Sequence, residues 1–279
     1  MIRIVSDTST LYSTPQAKEA GFEVAPLSVT INEESYLEFD EISSKEFVGI
    51  INQGHLPVSS QPPVGKFLAI YDSYSEQDEI LSIHMAQGLS GTYEGAVAAA
   101  GLSKNADHIT VINSRTLCGP HRYLVEKAVK MVKEGHTFSE IKQKMEEKMA
   151  TAKSYLIPAD FDYLRRGGRL SPLVSYVGQA ANLSPVMTQT DDGCRLTIAG
   201  IRHGFTQAVK YVAKLLVKKG IEKGYRIYIT HGDDIKKAEE ALAILKQMLP
   251  EAIFEIHPLS PAFITQGGPS CVAIQYIQE

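Results

Sequence analysis

Four short apolar runs in the first half of the chain, at residues 2–5, 24–30, 80–84 and 109–112, alternate with stretches of helical periodicity. That alternation limits the fold more than any other feature, because strand, helix and strand in succession build a parallel sheet covered on both faces. The helices are well marked. Residues 121–133 carry Leu124, Ala128 and Val132 at a spacing of four, with Gly135 placed to stop them. Thr137 and Glu140 form a capping box ahead of Ile141, Met145 and Met149, which share one helical face. In such sheets ligands bind beyond the carboxyl ends of the strands, so the loops there carry the functional information.

The second half reads differently. It begins near residues 154–157, and strand candidates at 194–199, 226–230, 252–257 and 271–277 include pairs close enough in sequence for a mixed or antiparallel sheet. Helices are expected over 205–219, with Val209, Val212 and Leu216 on one face, and over 236–249, with Ala238, Leu242 and Leu245. A short helix over 161–166 ends at Gly167 and Gly168, after which Ser171 and Pro172 supply an N-cap and a first-turn proline for another. The fold class is therefore α/β, with a soft boundary near residue 155.

Composition excludes several classes. A length of 279 residues suits two ordinary domains or one large one, and 44% hydrophobic with 22% charged residues is a globular mixture. A net charge of −4 gives no reason to expect nucleic acid or an acidic membrane surface as partner, and there is no basic stripe or helix-turn-helix. No apolar run is long enough for stable membrane insertion, and residues 1–6 read as a strand rather than a signal peptide. Cys118, Cys194 and Cys271 form neither a CxxC pair nor a disulfide framework, which suits a reducing cytoplasm and three small core residues. The catalytic signatures fail in turn: no HExxH, no GxGxxG, and no phosphate loop, since Phe67 follows Gly65-Lys66. Gly88, Ser90 and Gly91 approach a nucleophile elbow, but Thr92 stands where the elbow needs glycine. No catalytic residue, metal ligand or cofactor is expected.

Hydroxyl-rich loops remain. Ser6 to Thr10 follow the first strand, Ser59, Ser60 and Gln61 precede a helix starting near Val64, and Ser90, Gly91 and Thr92 open a helix over 92–102. Glycine lets backbone approach a ligand, a helix N-terminus favours an anion, and a hydroxyl donates to a carboxylate without a full counter-charge. Singly, each serine or threonine is a cap or turn residue. Together, at one sheet edge, the three loops describe a small, mostly uncharged anion pocket.

The same segments resemble the DegV family of fatty-acid-binding proteins, which present acyl chains to bacterial fatty-acid kinase. The likeness runs through Ser6-Asp7-Thr8-Ser9, Ser59-Ser60-Gln61-Pro62, Leu89-Ser90-Gly91-Thr92-Tyr93, Gly167-Gly168-Arg169-Leu170-Ser171 and Arg202. It implies a Rossmann-like parallel-sheet domain over 1–155 and a smaller α/β domain with a mixed sheet over 156–279. A long-chain fatty acid such as palmitate would lie buried between them. It further implies that Ser59, Ser60, Ser90, Gly91, Thr92 and Gln266 bind the carboxylate, and that Arg169 and Arg202, exposed near the mouth of the site and not around the carboxylate, meet the kinase catalytic subunit. Ser59 replaces the family's usual threonine and keeps the hydroxyl. Gln266 replaces a usual histidine; it can hydrogen-bond but moves no proton, so a phosphoryl-transfer role does not carry over. The alternative is a serine-dependent esterase or phosphotransferase using Ser90, with His84 or His231 as base.

Overall fold

The computed structural model describes residues 1–174 and 183–279. In chain order the first half holds β1 (Ile2–Asp7), α1 (Thr14–Ala20), β2 (Glu23–Ala25), β3 (Ser28–Ile31), β4 (Glu34–Leu37), α2 (Ser44–Ile51) and β5 (Val58–Ser60). It continues with α3 (Val64–Ser73), β6 (Glu79–His84), α4 (Thr92–Leu102), β7 (Ile109–Asn113), α5 (Cys118–Lys133) and α6 (Phe138–Met149). Then come β8 (Lys153–Ile157), α7 (Phe161–Gly167), β9 (Leu183–Gln189), β10 (Leu196–His203) and α8 (Phe205–Lys218). The last elements are β11 (Tyr225–His231), α9 (Ile235–Met248), β12 (Ile253–Pro258), α10 (Pro261–Gly267) and β13 (Val272–Gln278).

The expected parallel sheet is present, in the order β2-β1-β6-β7. The second half forms a mixed sheet, β10-β9-β8-β13-β11-β12, in which only β11 and β12 run parallel. A small antiparallel sheet, β4-β3-β5, was not expected. It arises because the apolar run at 24–30 is two strands: Pro26 lacks an N–H for a ladder, and the chain changes sheets there. Residue 155 falls within β8.

Local chemistry explains the helices. Ser13, Ser43 and Thr137 each accept from the third helical N–H of α1, α2 and α6, and Gln16, Glu46 and Glu140 reach back to close the box. Gly168, at φ 71°, ends α7 as expected. The helix expected after Ser171 and Pro172 starts as a 3-10 turn over Pro172–Val174; its continuation lies outside the described residues.

One helix joins the halves. Leu124 and Ala128 of α5 pack with Leu81 and Ile83 of the parallel sheet and with Tyr228 and Ile277 of the mixed sheet. Gly119 has no side chain where the Tyr228 ring lies: a Cβ there would sit 2.1 Å from the ring Cγ. On the far face α8 buries Val209, Val212 and Leu216 completely, about 1.5–3 kcal/mol for each. Cys118 and Cys271 are core residues as expected, but Cys194 is exposed in the turn between β9 and β10.

Candidate ligand-binding site

The strand order reverses between β1 and β6, and the loops at their carboxyl ends meet there. A buried polar network fixes both. Asp7 accepts from Ser9 N–H (2.9 Å), Met85 N–H (3.2 Å) and His84 Nδ1 (2.9 Å). The other imidazole nitrogen of His84 pairs with the Ser82 hydroxyl (2.6 Å), which pairs in turn with the Tyr71 hydroxyl (2.8 Å). Ser9 Oγ meets His121 Nδ1 at 2.6 Å, and Thr8 donates to Glu38. The hydroxyls of residues 6–10 are therefore turned inward and fully buried, not presented to a ligand. Of the three expected loops, this one builds the frame instead of the pocket. Burial pushes the His121 pKa down and that of Glu38 up.

The other two loops do converge. Ser59, Ser60 and Ser90 line one cavity together with Gln266 and Arg169; it holds about 930 Å³ of empty space, counting its open mouth. Leu27, Met85, Leu117, Leu156, Met187 and Phe263 give most of the remaining wall an apolar character. Gly91 and Thr92 stand behind that wall. Thr92 is fully buried, its hydroxyl 2.7 Å from Ser90 Oγ, and its N–H donates to Ser90 (3.3 Å). Gly91 is needed for a close approach, since a Cβ there would sit 1.9 Å from Gln61 Oε1. Gln266 Nε2 donates to Ser59 Oγ at 3.2 Å, leaving the serine proton free to point at an anion.

Glu38 went unnoticed in the sequence, although it positions Gln266. Fully buried, it accepts from Thr8 and from Ala262 N–H (2.9 Å), tying α10 to the first strand's loop. Its signal was faint, an acid in an otherwise surface-like segment. Gln61, from the expected loop, lines the cavity too, and Ser154, Gln189 and Gln275 do so unannounced.

The arginines separate. Arg169 was expected on an exposed partner surface, yet it lines the cavity, half-buried, with Nε donating to Leu89 O (3.1 Å) and Nη1 to Gly167 O (2.5 Å). Among the described residues it is the one charged side chain on the wall, and it has no ion pair. Arg202 lies elsewhere, on β10, its guanidinium 3.7 Å from the centre of the Tyr211 ring. Neither candidate base serves Ser90. His84 is committed to Asp7 and Ser82 in the core, and His231 accepts from Asp234 N–H (3.1 Å) at the start of α9. The described residues contain no cluster of His, Cys, Asp and Glu able to hold a metal, and no helix among them is long and apolar enough to cross a membrane.

This arrangement of a parallel sheet, a mixed sheet and a hydroxyl-lipped cavity has known relatives. A family model described as an uncharacterised protein, DegV family, matches residues 1–279. The chain belongs to the DegV family. It is 28% identical over 279 residues to a DegV domain-containing protein of Listeria monocytogenes, covering 99% of this chain and 98% of that one. Its fold matches DegV from Bacillus subtilis, described as a fatty acid binding protein, with a TM-score of 0.88 at 24% identity, over 100% of this chain and 99% of that one. A fatty-acid-binding DegV family protein of Thermus thermophilus matches with a TM-score of 0.87 at 24% identity, over the same shares. The α/β architecture expected from the sequence is thus the DegV fold.

Proposed function

We propose that this DegV protein binds one long-chain fatty acid, such as palmitate, and presents it to the catalytic subunit of a fatty-acid kinase, with no chemistry of its own. The observation that carries this reading is the cavity: a mainly apolar wall with serine hydroxyls, an amide and a single uncompensated arginine gathered in it. Such a surface suits an amphiphile with one anionic end. Each buried methylene contributes about 0.8 kcal/mol, so the tail supplies most of the affinity. The carboxylate is met by Ser59 and Ser90, with Ser60 and Gln266 beside them and Gly91 and Thr92 holding Ser90 in place. Residues 1–155 carry these loops and 156–279 cover the chain.

Several features support presentation. Arg169 is within the cavity that would hold the head group, where phosphate charge would develop, and a planar guanidinium pairs well with either anion. Arg202 lies away from the cavity, on a strand at the edge of its sheet with its guanidinium over the Tyr211 ring, so a partner would meet it apart from the head group. An ATP-dependent partner and the unpaired cysteines agree with a cytoplasmic setting. The fatty acid binding ascribed to the Bacillus subtilis and Thermus thermophilus relatives points the same way. Native mass spectrometry of the purified protein tests the first half of the reading: a co-purifying long-chain acid at one per chain is expected, and a ligand-free protein that takes up none rejects it. The second half predicts acyl-phosphate formation when the loaded protein meets kinase and ATP, lowered by Arg169→Ala or Arg202→Ala.

A further inference from the structure

The cavity has a second polar zone, made by residues other than those of the proposed head-group site. Three strands of the mixed sheet present side chains to it in rows. Leu156 pairs with Ala273 on one side and Met187 on the other, giving an apolar row. Leu156 Cδ1 lies 3.6 Å from where a Gly267 Cβ would be, so this row adjoins the residue next to Gln266. Two residues further along β8, roughly 7 Å away, the next row is polar. Ser154 pairs with Gln275, and the β8–β9 register continues to bring Gln189 opposite Ser154. Ser154, Gln189 and Gln275 are 9%, 7% and 1% exposed, and all three line the cavity.

Their hydrogen bonds are unevenly used. The Gln275 amide is fully committed: Nε2 donates to Leu117 O (3.1 Å) and Ser154 Oγ (3.0 Å), while Oε1 accepts from Gly119 N–H (3.3 Å). Ser154 Oγ accepts that bond, and its own proton has no acceptor among the described residues. Gln189 Nε2 donates to Arg115 O (3.3 Å), and its Oε1 has no partner among them. One free donor and one free acceptor therefore stand at the cavity surface. A hydroxyl needs that combination, accepting from Ser154 and donating to Gln189.

We infer that this row reads a hydroxyl on the ligand's hydrocarbon chain, so that the preferred ligand class is a hydroxy fatty acid. The inference rests on the fatty-acid reading above and narrows it. Delipidated full-length protein titrated with stearic acid and with monohydroxystearic acids of varied hydroxyl position tests it. One interior isomer should bind about tenfold more tightly than stearic acid, the effect of a satisfied hydrogen bond. Gln189→Met and Ser154→Ala should each reverse the order, binding stearic acid more tightly and that isomer less. Hydroxy acids that bind no better than stearic acid would overturn the inference and leave fatty acid binding standing, the row then being met by water alone. A preference that survives both substitutions would overturn it as well. Failure to bind any of these acids would remove the fatty-acid reading and the inference with it.

Discussion

Asp7 shows how much one side chain can organise. Burial alone would raise its pKa, but the His84 hydrogen bond and the nearby His121 and His84 rings outweigh it and hold the value at about 2. An unfolded aspartate titrates near 3.9, so the carboxylate stabilises the fold fully above about pH 4, and that contribution, on the order of 2–3 kcal/mol, is lost as pH falls through 2. Asp7→Ala, which strands His84 and the Met85 and Ser9 N–H groups, should cost about 3 kcal/mol or more at pH 7 in urea unfolding and flatten the acid limb. Equal stability of variant and parent at pH 7 would refute the role. For the ligand, Ser59→Ala and Ser90→Ala should each weaken fatty acid binding by about 1.5–3 kcal/mol without abolishing it, read by calorimetry. Ser90→Ala should also lower the melting temperature, because Ser90 accepts the Thr92 N–H at the start of α4. At this scale the sequence was partly legible. Ser59, Ser60, Ser90 and Gln266 do meet in space, whereas the residue 6–10 hydroxyls turn to His121, Glu38 and the Asp7 carbonyl, partners whose position only the fold reveals. Arg169 was misplaced because sequence cannot tell a solvated arginine from one that closes a cavity.

Among the elements, α10 is the one on which the site depends and the one the sequence concealed. It spans only Pro261–Gly267, too short for periodicity to register, and its orientation is set by Glu38 through Ala262 N–H. Gly167 bears on its position too, since a Cβ there would lie 1.9 Å from Gln266 Oε1. Gly167→Ala should cost little stability, because a flexible side-chain tip can move aside. It should still weaken ligand binding by roughly tenfold as Gln266 leaves Ser59, the effect of one lost hydrogen bond. A variant with full affinity and a crystal structure showing Gln266 in place would end that argument. Long amphipathic helices such as α8 and α9 were legible almost to the residue. The capping boxes at Ser13 and Ser43 were equally legible and went unread, so α1 and α2 were missed. β9 was hidden by Pro185, which belongs in a strand only because its neighbours tolerate the missing N–H.

At the scale of the whole molecule the parallel and mixed sheets share α5, so the two halves stand or fall together. Gly119→Ala drives a methyl into the Tyr228 ring and should cost about 1–3 kcal/mol in a single cooperative transition. Two separated transitions would show that the halves fold independently. Affinity should climb with acyl length until the cavity is full; equal binding of six-carbon and sixteen-carbon acids would contradict an apolar tail as the main source of affinity. The parallel and mixed classes of the two larger sheets were readable from how strands and helices alternate, whereas the small β4-β3-β5 sheet was not. The cavity was not, because a side chain facing a ligand and one facing the core are the same letters. The position of β13 has a consequence for biosynthesis. It lies between β8 and β11 in the mixed sheet, yet it follows both in the chain, and it brings Ala273 and Gln275 to the cavity wall. While residues 272–278 are still inside the ribosome, the sheet has a gap at its middle and the cavity has no floor. A nascent chain stalled at that point should be bound by chaperones and take up none of the proposed fatty acid, which can be held only once β13 is in place.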